Sequence, residues 1–557
     1  MNNNTKKAAL TALVFLALVS YMFLFRLGSW ALTDPDETFY AQSAKEMLQR
    51  HEWSTPYLYG KPQFEKPVLF YWLVEGSFKL FGVNETAARL PSAVFGAIGI
   101  LAIYFLGKIL FNKRVGAIAA VMLATCVEYI MLSRACVTDM TLFTLLLLGA
   151  LFFFYGHKRG HNAFYIASAA AFGLAFLTKG PIALILPGAV FVIYLTASGE
   201  WKSVKKMPLF LMACAFIIVS IPWYVVMYKL HGNPFLTEFF GFRNVNRFLV
   251  AEHAIGSQFY YNIPIILGGF FPWSVFLPAG FWYAFKNISK SKTRSIDPEK
   301  RKGLIFALAW FVVIFLFFTA SSTKLPTYIF PCFISIALLT AVVWDEFLSR
   351  SATSGLIKWM NASYISLLVI VVIGIAGAGI YIRGHYPTIL PPIMTSLVFL
   401  VFGMMLSIPA FMSGKKIWTL ALIAYSVILF LYPMSKLVLP VLEGFETSKV
   451  VSEKLLSLMK PEEALGSESR YMEGLAFYTG KFPKNLDKHH DLINFLNTDK
   501  RVWFVMKEKN HRHIYELDTA PLHRKASYEI FKIGKRSVIT NDLPSGVNYL
   551  VKRERLN

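Results

Sequence analysis

The chain has 557 residues, 55% hydrophobic and only 16% charged, with a formal net charge of +23. Soluble domains carry about 25% charged residues, so the composition excludes an ordinary soluble enzyme. A basic balance on so apolar a chain points to cationic loops at a membrane face, and no nucleic-acid partner is expected.

The first apolar run, Ala8 to Phe25, follows Lys6 and Lys7. It is too long for a signal-peptide core and lacks a small-residue cleavage site, so it reads as a retained anchor. A spanning helix needs about 20 apolar residues, which predicts about thirteen spans in all. Their centres fall near residues 17, 101, 124, 146, 170, 189, 218, 272, 312, 336, 371, 400 and 427. Alternate loops are cation-rich: Lys108, Lys113 and Arg114; Lys158 and Arg159; Lys202, Lys205 and Lys206; the run from Lys286; Lys415 and Lys416. The intervening loops hold mostly single cations, Arg134, Lys179, Lys324 and Arg383. This asymmetry predicts a cytoplasmic amino terminus and an odd number of spans.

Two segments on the predicted outer side, 28–90 and 229–260, are longer than connections require. After Glu443 the composition turns soluble: SKVVSEKLLSLM has the period of an amphipathic helix, while RVWFVMKE and KRSVITN read as strands. The expected fold is an α-helical polytopic membrane protein of about 13 transmembrane helices. Residues 1–442 form the membrane domain with both outer loops, and 443–557 a small α/β periplasmic domain. Cys126, Cys136, Cys214 and Cys332 show no CxxC spacing and read as small buried hydrophobes; a Cys126–Cys136 bridge is opposed by the helix expected between them.

Charged groups at a membrane boundary are costly and so are candidates for function. The outer boundary gathers DPDETFYAQ from Asp34, QFEKPVLFYWL from Gln63, SRACVTDMT from Ser133, LTKGP from Leu177, FFGFRNVNRF from Phe239 and STKLPTY from Ser322. Lys66, Lys179, Arg243, Arg247 and Lys324 suit phosphate oxygens. The carboxylates Asp34, Asp36, Glu37, Glu65 and Asp139 suit activating or orienting an acceptor, or holding a divalent metal. Tyr40 and Tyr328 add hydrogen bonds. Plainer readings exist: lone Lys residues at helix ends snorkel, and acids after a span cap the next helix, with Asp34 the bystander of its motif. His385, in RGHYPT, is either an exposed histidine or a metal partner of Glu65.

Taken together, DPDETFYA, FEKPVLFYWL, TDMT, LTKGP, NRF and KLPTY resemble the lipid A aminoarabinose transferases, within the membrane glycosyltransferase superfamily that includes protein O-mannosyltransferases. The resemblance implies transfer of a sugar from a polyprenyl-phosphate carrier to an outer-face acceptor, at the periplasmic side of a bacterial inner membrane. It makes Asp36 the principal catalytic carboxylate, with Glu37 beside it and Asp139 a second acid of the cavity. Lys66, Lys179, Arg247 and Tyr328 would contact the carrier phosphate region, and Tyr40 matches a family tyrosine. Glu65 would help bind a divalent metal, zinc, magnesium and manganese being equally compatible. Phe39 and Arg243-Asn244 depart from the family pattern and leave the sugar and acceptor open. The expected substrates are an undecaprenyl-phosphate sugar, 4-amino-4-deoxy-L-arabinose in that branch, and a lipid A phosphate. Alternatives are a protein O-glycosyltransferase and a multi-span lipid or sugar transporter; charges clustered on one side speak against transport.

Overall fold

A computed structural model describes residues 17–246, 258–289, 297–349, 352–496, 498, 500–507, 510, 528–533 and 536–541. Two compact units divide the chain: Met1–Phe25, Phe64–Phe70 and Arg89–Met434 form one, and Arg26–Gln63, Tyr71–Ala88 and Ser435–Asn557 the other. This corrects the expected division at 442/443. The carboxy-terminal boundary falls close to it, but most of the first long loop packs with the carboxy-terminal residues rather than with the membrane helices.

Among the described residues, eight helices are long and apolar enough to cross a membrane, or ten if each of two bent pairs is one span. All ten coincide with predicted centres. The centres near 170 and 189 fall in Asn162–Lys179 and Ile182–Ser198, which do not meet the same test. The first centre lies at the edge of the described residues, where 17–24 are helical.

The bent pairs are Lys113–Ala124 with Val127–Ser133, at 68°, and Asn262–Gly269 with Trp273–Ser289, at 111°. Their breaks meet. The Val127 amide donates to the Phe271 carbonyl at 3.3 Å, and Trp273 Nε1 donates to Thr125 Oγ1 at 2.9 Å. An unsatisfied backbone group in hydrocarbon costs several kcal/mol, so interrupted helices persist only where other protein groups serve the interruption. The apolar core around them holds fully buried Trp273, Trp310 and Trp344. Several cations of the predicted inner loops are paired: Lys302 Nζ lies 2.7 Å from Glu200 and 2.9 Å from Glu299, while Arg114 pairs with Asp345 and Lys300 with Glu346. All four cysteines are free, and Cys126, Cys136 and Cys332 are buried, as expected of small apolar side chains.

In the second unit a two-residue hairpin, β1 (Tyr57–Leu58) and β2 (Lys61–Pro62), accompanies the helices Asp36–Arg50 and Leu69–Phe81. The carboxy-terminal segment forms a five-stranded mixed sheet of β3 (Ala464–Ser467), β4 (Lys484–Asn485), β5 (Val502–Lys507), β6 (Tyr528–Ile533) and β7 (Arg536–Thr540), in the order β4-β3-β5-β7-β6. β3 runs parallel to β4 and β5; β7 is antiparallel to β5 and β6. The two expected strands are β5 and β7, and the expected helix is Lys449–Leu458. Its Val451 and Leu455, one turn apart, pack with Trp503, Val505 and Val538 of the sheet and Leu475 of Met472–Thr479.

Candidate active site

The acidic motif opens the helix Asp36–Arg50. This segment has Ala41, Ala44, Met47 and Leu48 at helical spacing, acids in its first turn and Arg50 in its last, which suits the helix dipole. Its three carboxylates have different environments. Asp34 and Glu37 are buried, at 7% and 3% exposure, while Asp36 is exposed. Glu37 Oε2 accepts the Thr33 amide at 3.0 Å and the Thr33 hydroxyl at 2.7 Å. Glu37 thus turns back to hold Thr33, just ahead of the motif, and its carboxylate is enclosed where that of Asp36 is exposed. Tyr40, one turn beyond Asp36, is buried with its ring centroid 5.8 Å from that of Tyr71.

Asp34 is no bystander. Its Oδ1 accepts the Thr38 hydroxyl at 3.2 Å, and its Oδ2 accepts Ser448 Oγ at 2.5 Å and Arg536 Nη2 at 3.4 Å. Burial pushes its carboxyl up to about 7; the Ser448 bond, the Arg536 charge and the Thr38 bond pull it down incompletely, and Glu473 adds to the rise. Between about pH 4 and 7 the folded chain therefore holds a proton that the unfolded chain has released. The stability contributed by this site is full below pH 4 and lost as pH rises through 7. Denaturation followed across that range should show wild type losing stability relative to Asp34→Asn as pH increases; an unchanged difference contradicts the assignment.

In the first unit, two groups of predicted residues come together. The antiparallel hairpin of Thr138–Arg159 and Asn162–Lys179 sets the first turn of one helix level with the last turn of the next. The acid Asp139 and the base Lys179 each occupy the end favoured by the helix dipole. Lys179 Nζ reaches Asp139 Oδ1 at 2.6 Å, both side chains being nearly buried, and lies 5.0 Å from the Tyr328 ring centroid. Tyr328 comes from the 3-10 turn Pro326–Cys332, opened by the proline of KLPTY. Asp139, Lys179 and Tyr328 line one small cavity with Phe318 and Pro331. The lysine charge is thus matched by the Asp139 carboxylate and lies beside an aromatic face.

The second group joins Glu65 to Lys66 at 3.8 Å and to Arg243 at 3.7 Å. Arg243 also donates to Glu238 at 2.9 Å from the π-helix Thr237–Asn246. In sequence Arg243 stands out only as one of several boundary cations and a departure from a family pattern; its meeting with Glu65 across the chain has no local signal. Arg247 lies outside the described residues.

The expected metal does not fit these donors. Glu65 is neighboured by two cations. His385 ends the long helix Ser354–His385, where its Nδ1 lies 2.9 Å from the Tyr381 carbonyl and its ring stacks on Tyr381. Among the described residues, no group of three or more His, Cys, Asp or Glu side chains is arranged to hold a metal ion.

The sequence profile of the dolichyl-phosphate-mannose-protein mannosyltransferase family matches residues 65–225. ArnT from Cupriavidus metallidurans, bound to undecaprenyl phosphate, has the same fold, with a TM-score of 0.77 at 20% identity over 95% of this chain and 98% of that one. The fold is that of a multi-span membrane protein. The undecaprenyl phosphate-alpha-4-amino-4-deoxy-L-arabinose arabinosyl transferase of Pectobacterium carotovorum subsp. carotovorum (strain PC1) is 30% identical over 388 residues, 68% of this chain and 67% of that protein. Its namesake from Enterobacter sp. (strain 638) is 29% identical over 411 residues, 72% and 71% of the two chains. The chain belongs to this arabinosyl transferase family.

Proposed function

We propose that the protein moves 4-amino-4-deoxy-L-arabinose from undecaprenyl phosphate to a lipid A phosphate at the periplasmic face of the inner membrane. The observation that carries the reading is the selective exposure of Asp36 in a motif whose other two carboxylates are enclosed. Family membership supplies the carrier and the sugar.

The chemistry follows from charge. An oxygen of the acceptor phosphate attacks the anomeric carbon, the bond from that carbon to the carrier phosphate breaks, and its electron pair leaves on the carrier phosphate. The attacking group is already anionic, so no proton need be removed. Asp36 stabilises positive charge developing at the anomeric carbon and orients the acceptor. Lys66, Lys179 and Arg243 are the cations assigned to the departing phosphate, Lys179 being the one paired with Asp139 beside Tyr328. Attack opposite the leaving group inverts the anomeric centre. No step runs through a metal.

A second reading, a protein acceptor, is favoured by the mannosyltransferase profile match. Purified protein in liposomes with undecaprenyl-phosphate aminoarabinose should add the mass of one aminoarabinose to lipid A and none to a Ser/Thr-rich peptide. Transfer to the peptide alone establishes the second reading and overturns the first.

A further inference from the structure

The residues just before Asp36 are suspended from the far end of the chain. The Ala31 amide donates to Glu443 Oε1 at 3.1 Å, and the Leu32 amide to Tyr478 Oη at 2.8 Å. Tyr478 Oη in turn donates to Glu85 at 3.3 Å, and Lys449 Nζ pairs with the same Glu85 oxygen at 2.8 Å. Asp34 receives Ser448 and Arg536, whose Nη1 also donates to the Thr447 carbonyl at 2.5 Å and whose guanidinium lies 4.7 Å from the Tyr471 ring centroid. Asp34, Ser448 and Arg536 are all buried, at 7%, 0% and 2% exposure. The fit extends to Gly474: a Cβ there would lie 2.0 Å from Asp34 Oδ1 and 2.8 Å from Ser448 Cβ, so only glycine lets its helix approach. Asp34 itself stands one proline away from Asp36, and the helix start at Pro35 has no side-chain cap of its own.

We infer that Asp34 is a positioning residue, through which Ser448 and Arg536 of the carboxy-terminal domain fix the start of the helix that presents Asp36. The soluble domain thereby acts on the transfer step without touching substrate. Two short links, Asp34–Pro35–Asp36 and Asp34–Ser448/Arg536, separate it from the Asp36 carboxylate. Misplacing a reacting group by about 1 Å can lower a rate 10²-fold, whereas binding of a long carrier at other contacts is little affected.

The inference rests on Asp36 being the catalytic carboxylate, so its test has two readouts on the full-length protein in liposomes. The first is kinetic. Asp34→Asn and Arg536→Met should each lower kcat about 10- to 100-fold with KM for the carrier within about twofold, and Arg536→Lys, which keeps the charge but loses the two-acceptor fork, should restore only part of the rate. The second is amide hydrogen exchange: Asp34→Asn should speed exchange at residues 36–40 at least about tenfold while leaving the helix Thr138–Arg159 unchanged. If Asp34→Asn does not fold, Ser448→Ala, which keeps the charge pair, should show the same pattern more weakly. Unchanged exchange at residues 36–40, or a fall in kcat no smaller for Arg536→Lys than for Arg536→Met, overturns the inference. Full activity in Asp36→Asn overturns the catalytic reading instead, and the exchange result then still decides the tether.

Discussion

Asp36→Asn lowers transfer by about 10²- to 10³-fold, the scale expected when a group that stabilises transition-state charge is removed. The substitution keeps shape and removes charge. Neither neighbour can take over: Glu37 is engaged by Thr33, and Asp34 is enclosed by Ser448, Arg536 and Thr38. Because Asp36 is exposed, the change costs little stability, about 0.3–1 kcal/mol of helix-dipole interaction. The measurement is single-turnover mass transfer to lipid A alongside thermal unfolding in detergent. A rate within tenfold of wild type would remove Asp36 from the chemistry.

The second large effect concerns Asp139 and Lys179. A nearly buried ion pair at 2.6 Å is strongly destabilised when one partner is removed, because the other charge stays buried alone; the usual cost is about 3–5 kcal/mol. Lys179→Met should therefore sharply lower the unfolding midpoint. Asp139→Leu combined with Lys179→Met should recover most of that loss, since apolar pairs of similar volume replace buried ion pairs at little cost. Activity should separate from stability here. The double variant regains its fold but remains unable to bind carrier phosphate, read as loss of undecaprenyl-phosphate binding. A double variant as unstable as the single one would show that the two charges are not coupled, and one that binds carrier normally would assign Lys179 a purely structural role.

Much of this molecule is legible in its sequence because its strongest signals are local. Eight long helices and two bent pairs fall at predicted centres since a run of about 20 apolar residues has few other fates. β5, β7 and Lys449–Leu458 follow from periodicity. Asp139, Lys179 and Tyr328 meet as expected because two consecutive antiparallel helices and one turn suffice to bring them together. What escaped is non-local. Ser448 and Arg536 lie hundreds of residues from Asp34, and no spacing or composition links them, so Asp34 reads as the spare acid of its motif. The same holds for the long first loop, whose partners in the carboxy-terminal segment cannot be read from hydropathy. Glu37 and Asp36 show a different limit: two adjacent acids look equivalent in a string, yet on a helix their side chains point about 100° apart, here one buried and one exposed.

The meeting of the two broken spans bears on how the chain is built during synthesis. The 113–133 span enters the bilayer well before the 262–289 span has left the ribosome, yet the interruption of each is completed by a hydrogen bond to the other. The two breaks, 148 residues apart at Thr125 and Trp273, can therefore satisfy each other only once both segments are present.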